Sequence, residues 1–296
     1  MLVALPLPQL IEITGPDAVA FAQAQFASDV HALANGHWQW SAWLSAQGRV
    51  RAFFHLLRDD DKSLRLLLRG GSAVRLRDAL ARYVLRAKLQ LRVIEDVQTC
   101  LIEQRSDSDR ADALPAGNSI DTVAQSTRIA LPGSTPRWLL LRATSAAAID
   151  TDSSLAARTR WALADIDAGI VTLDAAQEEK LLPDWIGLGE LGATSVSKGC
   201  YPGQEIVARL HFKGGNKRWL HRIAFRSDVL PAPGMPLGAD NDAPGEARGL
   251  IVCSAWTAAD AGAALAVLPA DHGNASAFSS HAIEIRDVQR ISPRPA

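Results

Sequence analysis

At 296 residues and 48% apolar composition, the chain is long enough to bury substantial cores, and its length suits two or three domains better than one. The formal net charge of -1 excludes a general electrostatic pull toward nucleic acid or acidic membranes, so binding of that kind needs a local basic patch. Cysteines stand only at 100, 200 and 253, without the spacing of a disulfide framework or a closed zinc site, which points to a reducing cytoplasm.

Met1 to Leu10 has no basic residue ahead of its apolar run and is broken by Pro6 and Pro8, which argues against a signal peptide, and no apolar run reaches membrane-spanning length. Ile11 to Thr14 reads as a strand leading into a helix that runs to about Ser28, with Thr14 as its cap and Pro16 in its first turn. His37 to Ala46 and Arg49 to Leu57 are strand-like runs joined across Gln47-Gly48, a hairpin signal, and Ser63 to Arg69 offers a third strand. Ser72 to Arg86 places Val74, Leu76, Leu80, Tyr83, Val84 and Leu85 at helical spacing with a basic outer face. Strand character returns at Leu89 to Ile94 and Gln98 to Ile102, and Ser106 to Ser126 reads as a surface loop. Pro136 to Ala143 is a strand and Ser154 to Ile166 a helix, whereas Pro183 to Ser197 reads as irregular chain. After Gly214-Gly215 the texture changes to short strands with Pro, Gly and Asp between them, the signature of a small all-β domain beginning near residue 216.

Chemistry concentrates at Lys198-Gly199-Cys200-Tyr201-Pro202-Gly203-Gln204-Glu205-Ile206-Val207-Ala208-Arg209. Two glycines and a proline bend the backbone around Cys200, and Gln204 onward reads as a short helix in which Glu205 can pair with Arg209. A cysteine just ahead of a helix N-terminus, with the Lys198 ammonium near it, favours the thiolate. The residues alone leave two readings open, a reactive thiol or a small buried apolar side chain. Cys100 and Cys253 lie in apolar strand-like runs, where packing is the default. A hydrolase needs a histidine beside Cys200, and His211 lies at the far end of the same helix.

Lys213, Lys217 and Arg218, with Arg209, His211, His221 and Trp219, make a basic cluster that can hold an anionic tail or RNA phosphates, or be a solvated strand edge. In Arg160 to Ile170, Trp161 precedes an Asp167-Ala168-Gly169 sequence that by spacing is a polar helix end.

The segment Lys198 to Arg209, continuing through Phe212-Lys213-Gly214-Gly215-Asn216-Lys217-Arg218, resembles the signature of the YgfZ family of folate-binding proteins, relatives of the glycine-cleavage T-protein. Every fixed position of that family's Lys-Gly-Cys-Tyr-x-Gly-Gln-Glu motif is present. Ile13 to Asp17, Asp29-Val30, Gln47-Gly48-Arg49 and Tyr83 to Arg86 resemble its N-terminal half. Asp167-Ala168-Gly169 stands where T-protein-like chains carry Glu-Ala-Gly, whose carboxylate recognises the pterin ring, and Trp161 matches a tryptophan associated with folate. A second such tryptophan is absent, its neighbourhood being Pro8, Gln9 and Leu10.

The resemblance implies an α+β, T-protein-like arrangement of three parts around a central hole. Residues 1-110 with 150-215 would form a folate-binding core of two interleaved subdomains that includes 111-149, and 216-296 a C-terminal β-barrel. It implies a cytoplasmic, monomeric accessory factor that binds tetrahydrofolate or a one-carbon derivative. Such a factor serves assembly or repair of iron-sulfur clusters in client enzymes, including radical enzymes that modify tRNA, without membrane or direct nucleic-acid binding. On this reading Cys200 and Lys198 carry the chemistry, with transient iron-sulfur contact at the thiol, and Trp161, Asp167, Tyr201, Gln204, Glu205 and Arg209 shape the folate site. No resident metal is expected. The rival within the resemblance is a folate-dependent aminomethyltransferase, which needs a catalytic aspartate in a short acidic turn; Asp59-Asp60-Asp61 is acidic but reads as a hairpin turn.

Overall fold

The computed structural model describes residues 2–4, 9–103, 118–123, 126–146, 150–238, 248–269, 278 and 283–293. Among these, three five-stranded sheets organise the chain.

Strand β1 (Leu2–Ala4) crosses to the middle sheet, and the N-terminal sheet follows: β2 (Leu10–Thr14), β3 (His37–Leu44), β4 (Val50–Asp60), β5 (Ser63–Leu68) and β6 (Gln90–Ile94), in the order β3-β4-β5-β2-β6. Strand β4, paired on both edges by β3 and β5, explains the run Ala52 to Leu57, apolar but for the buried His55. Side chains alternate across a strand, and both faces here are covered. Phe54 and Leu56 pack with Phe21 and Ala22 of helix α1 (Ala18–Gln25) and with Leu76 and Leu80 of α2 (Ala73–Ala81). On the opposite face Phe53 and Leu57 join Trp38 and Trp40 in a core shared with the other two sheets.

The middle sheet, in the order β1-β7-β10-β9-β8, contains β7 (Val97–Glu103), β8 (Ile120–Val123), β9 (Ser126–Leu131) and β10 (Arg137–Ala143). It sends Leu101, Ile129, Leu139 and Leu141 into the shared core, as helix α3 (Leu155–Ala168) sends Trp161 and Ile166. The Ser154 hydroxyl caps α3, and Gly169, in the left-handed conformation at φ 73°, stops it. Asp167-Ala168-Gly169 is therefore a helix C-terminus. Short turns lead to α4 (Gln204–Lys213). The C-terminal sheet, β12-β13-β14-β11-β15, is built from β11 (Arg218–Arg226), β12 (Pro236–Leu237), β13 (Gly249–Trp256), β14 (Ala261–Pro269) and β15 (Glu284–Arg290).

Several boundaries differ from the expectation. Thr14 is the last residue of β2, and the first helix begins only at Ala18, because Gly15 (φ 139°) turns the chain and the Asp17 carboxylate accepts from the Lys88 amide rather than from its own helix. The second helix ends at Ala81, leaving Leu85 86% exposed. The surface loop placed at Ser106 to Ser126 lies mostly outside the described residues, and its end is strand: β8, and the start of β9. Among the described residues no helix is long and apolar enough to cross a membrane.

Candidate functional site

The turn before α4 is held from both sides of Cys200. On one side the Lys198 ammonium donates to the carbonyls of Gln23, Phe26 and Ser28 at 2.6, 2.5 and 3.0 Å, capping the chain where α1 ends. Burial draws its pKa down to about 8, against the opposing pull of the Asp29 carboxylate. On the other side Tyr201, 6% exposed, donates its hydroxyl to the Ser195 carbonyl at 2.8 Å, and burial together with the Asp184 charge raises its pKa. The Ser195 amide itself donates to Ala27 at 2.8 Å, and the Gln204 side chain donates to the Lys198 carbonyl at 3.2 Å. Gly199 and Cys200 lie exposed between these anchors.

Two glycines let the turn approach the β3–β4 hairpin. Gly203 caps α4 at φ 80°, where a Cβ would lie 2.6 Å from the Ser45 carbonyl oxygen and 2.7 Å from Gly48 Cα. At Gly48, φ 71°, a Cβ would meet Ile206 Cβ at 2.7 Å. The hairpin tip and the start of α4 thus touch backbone to backbone.

Lys198, Tyr201 and Gln204 therefore act together, to position rather than to enclose. The Lys198 ammonium, expected to attend the thiol, has its three donors directed at carbonyls. Glu205 and Arg209 are exposed, and no ion pair joins them among the described residues. Trp161 and Asp167 line a different cavity, of about 240 Å³, with Arg137, Arg160 and the Gly133–Thr135 turn. There the Arg137 guanidinium lies 5.2 Å from the Trp161 ring centroid, and the buried indole Nε1 finds no acceptor among the described residues. Asp167, its side chain 54% exposed, pairs with Arg222 at 2.7 Å. An aromatic face, an indole donor without an acceptor and guanidinium groups are what an anionic aromatic molecule such as folate requires, so these residues fit it.

No local pattern points to the carboxylate that matters most in this region. Asp165, only 18% exposed, accepts from Arg69 at 2.5 Å and from Arg137 at 2.7 Å, tying β5's end and β10 to α3. It also lines a cavity of about 550 Å³ between α3, the Gly70-Gly71 turn and the C-terminal sheet, together with Thr172, Cys253 and Ser254. Cys253 is thus not simply packed: a register shift in β13 leaves it partly exposed, and burial pushes its pKa to about 11.

Other candidates resolve into structure. His55 is wholly buried against Trp38 and Trp40, where burial and the Arg69 charge keep it neutral. In the acidic turn, Asp59 pairs with Arg65, Asp61 with Arg58 and Asn35, and Asp60 accepts from the Lys62 amide. The basic cluster is divided: Arg290 covers Trp219 at 3.8 Å, Arg218 lies over Trp185, and His221 is buried. Among the described residues no three metal-binding side chains converge.

No protein-family model matches the chain. It is 29% identical over 232 residues to a protein named tRNA-modifying protein YgfZ from Edwardsiella ictaluri (strain 93-146), covering 75% of this chain and 70% of that one. The crystal structure of glycine cleavage system aminomethyltransferase T from Bartonella henselae superposes with a TM-score of 0.70 at 13% identity, over 99% of this chain and 87% of that one. The fold is T-protein-like, and both comparisons agree with the resemblance that the Lys198 to Arg209 motif carries.

Proposed function

We propose, on the sequence likeness to a YgfZ protein and the T-protein-like fold, that this chain is a cytoplasmic folate-binding accessory factor for iron-sulfur enzymes, including those that modify tRNA. Cys200 is its working group. The observation that carries this reading is the exposed thiol on a turn anchored on both sides, by Lys198 to three carbonyls and by Tyr201 to Ser195. So much fixed structure around one exposed sulfur is poorly explained by packing, since the sulfur itself is outside the core. A thiol so placed can reach a large partner, as an iron or sulfur atom in transit requires.

Folate, a ligand of the family, fits the Trp161 side of the molecule. Trp161 and Arg160 would hold its ring system and anionic tail, and folate when bound would supply a one-carbon carrier. The aminomethyltransferase reading is weaker because the acidic turn it relies on has its carboxylates tied to Arg58, Arg65 and backbone.

The test is replacement of Cys200 by Ser in cells that lack the parent gene. The variant should fold as the parent does yet fail to restore activity of an iron-sulfur tRNA-modifying enzyme. Full restoration would remove the thiol from the account.

A further inference from the structure

Part of the basic cluster is not absorbed by the fold. Arg218 lies over Trp185 and His221 is buried, but Arg209, Lys213 and Lys217 are exposed and form no ion pair among the described residues. Among them stands Phe212, 73% exposed, its ring met edge-on by the neighbouring His211 at 4.9 Å between centroids. One exposed apolar side chain is ordinary on a protein surface, and it is the position of this one that carries information. Residues four and seven apart share a helix face, so Glu205, Arg209 and Phe212 form one stripe on α4, with Lys213 beside it and Val207 on the buried side. The helix has 10 residues and is about 15 Å long. It begins just past the turn that exposes Cys200, so one continuous surface runs from the thiol to Phe212.

We propose that this stripe is the docking surface for a client protein whose matching face carries carboxylates around an apolar recess. The recess takes Phe212, the carboxylates meet Arg209, Lys213 and Lys217, and docking sets the client against Cys200. This rests on the accessory function proposed above and describes the partner's face. Three cations without a counter-charge, on a chain whose net charge is -1, call for an acidic counter-surface. An aromatic side chain inside a polar rim is the arrangement in which a few residues carry most of an interface's energy. Glu205 decides between protein and RNA. It is exposed on the same stripe, between the thiol and the cations. A phosphate backbone laid toward Cys200 would meet that carboxylate and be repelled, whereas a protein can offer it a lysine or arginine. The surface is also preformed, because Gly203 and Gly48 seat the start of α4 on the β3–β4 hairpin, so little ordering is lost on docking.

The probe is the purified iron-sulfur tRNA-modifying enzyme of the Cys200→Ser test, with bulk transfer RNA as a second probe. Binding to the full-length parent, to Phe212→Ala and to Lys213→Glu/Lys217→Glu is measured by calorimetry, and Cys200 alkylation is followed peptide by peptide in the mass spectrometer. Both variants change exposed side chains only and should melt within about 2 °C of the parent. Bound enzyme is expected to slow Cys200 alkylation of the parent at least about fivefold, and each variant should bind it at least about tenfold more weakly. Salt raised from about 50 to about 500 mM should weaken the parent's binding far more than that of the double variant. No binding to the parent, equal binding by all three chains, or binding that leaves Cys200 alkylation unchanged overturns the proposal. So does binding of transfer RNA alone that the variants lose, or a parent dimer that Phe212→Ala dissociates, since the surface then belongs to RNA or to a second copy. Restoration of the enzyme in cells separates the two levels. Full restoration by Cys200→Ser removes the thiol role and this proposal with it. Failure of Cys200→Ser alongside full restoration by both α4 variants leaves the thiol role standing and overturns the docking surface alone.

Discussion

Replacing Lys198 by Met tests whether the turn is held as described, because it keeps the stem and removes the ammonium. Three carbonyls, of Gln23, Phe26 and Ser28, lose their donor. At about 1–3 kcal/mol for each buried acceptor left bare, the gross loss is about 3–9 kcal/mol. Against it stands the relief of an ammonium that burial has drawn from 10.5 to about 8. That relief is at most about 3 kcal/mol, and less because solvent reaches the turn. Taking the middle of that gross range, about 6 kcal/mol, a net destabilisation of about 3–6 kcal/mol follows, which in a chain of this size lowers the melting temperature by roughly 5–10 °C. Calorimetry or circular dichroism measures it, and the rate of Cys200 alkylation should rise as the turn loosens. A variant that melts within about 1 °C of the parent, with unchanged alkylation, would refute the clamp.

Gly203→Ala should be more damaging than an ordinary turn substitution, since its Cβ would press on Ser45 and Gly48 backbone and φ 80° disfavours any side chain. A loss of at least about 2 kcal/mol in urea unfolding is expected, from strain of about 1–2 kcal/mol plus about 1–3 kcal/mol for the backbone shift. The pH dependence has a definite sign. Native Lys198 gives up its proton near 8 while the unfolded chain keeps it to about 10.5, so between those values the unfolded state binds more protons and this group's contribution to stability rises with pH. The stability gap between parent and Lys198→Met should therefore widen from pH 8 to pH 10, and a gap that narrows would contradict the depressed pKa.

How much of this could be read from residues alone depended on whether the information was local. The hairpin across Gln47-Gly48, the strand Pro136 to Ala143 and the helix from Ser154 are set by turn residues, apolar runs and a cap, and each stands close to where it was expected. The β9 strand, Ser126–Leu131, escaped notice because its buried residues Thr127, Ile129 and Leu131 alternate with polar and small ones in a segment dominated by polar composition. Helix α2 stops short of the apolar spacing that predicts it, because Val84 and Leu85 continue that spacing although the chain has already turned. The motif cysteine was legible, but not what its neighbours do. Lys198 reaches carbonyls 170 to 175 residues away in sequence, a contact no local pattern encodes. Asp165 was hidden for the same reason, since Arg69 and Arg137 come from two different sheets.

The measurement that bears most directly on the central claim is titration of tetrahydrofolate against the intrinsic fluorescence of the purified protein. Eight tryptophans are present, and Trp161 lines a cavity fitted to an anionic aromatic ligand. A saturable change that is lost in Trp161→Leu is the predicted result; a parent protein whose fluorescence does not respond at any folate concentration would contradict the account.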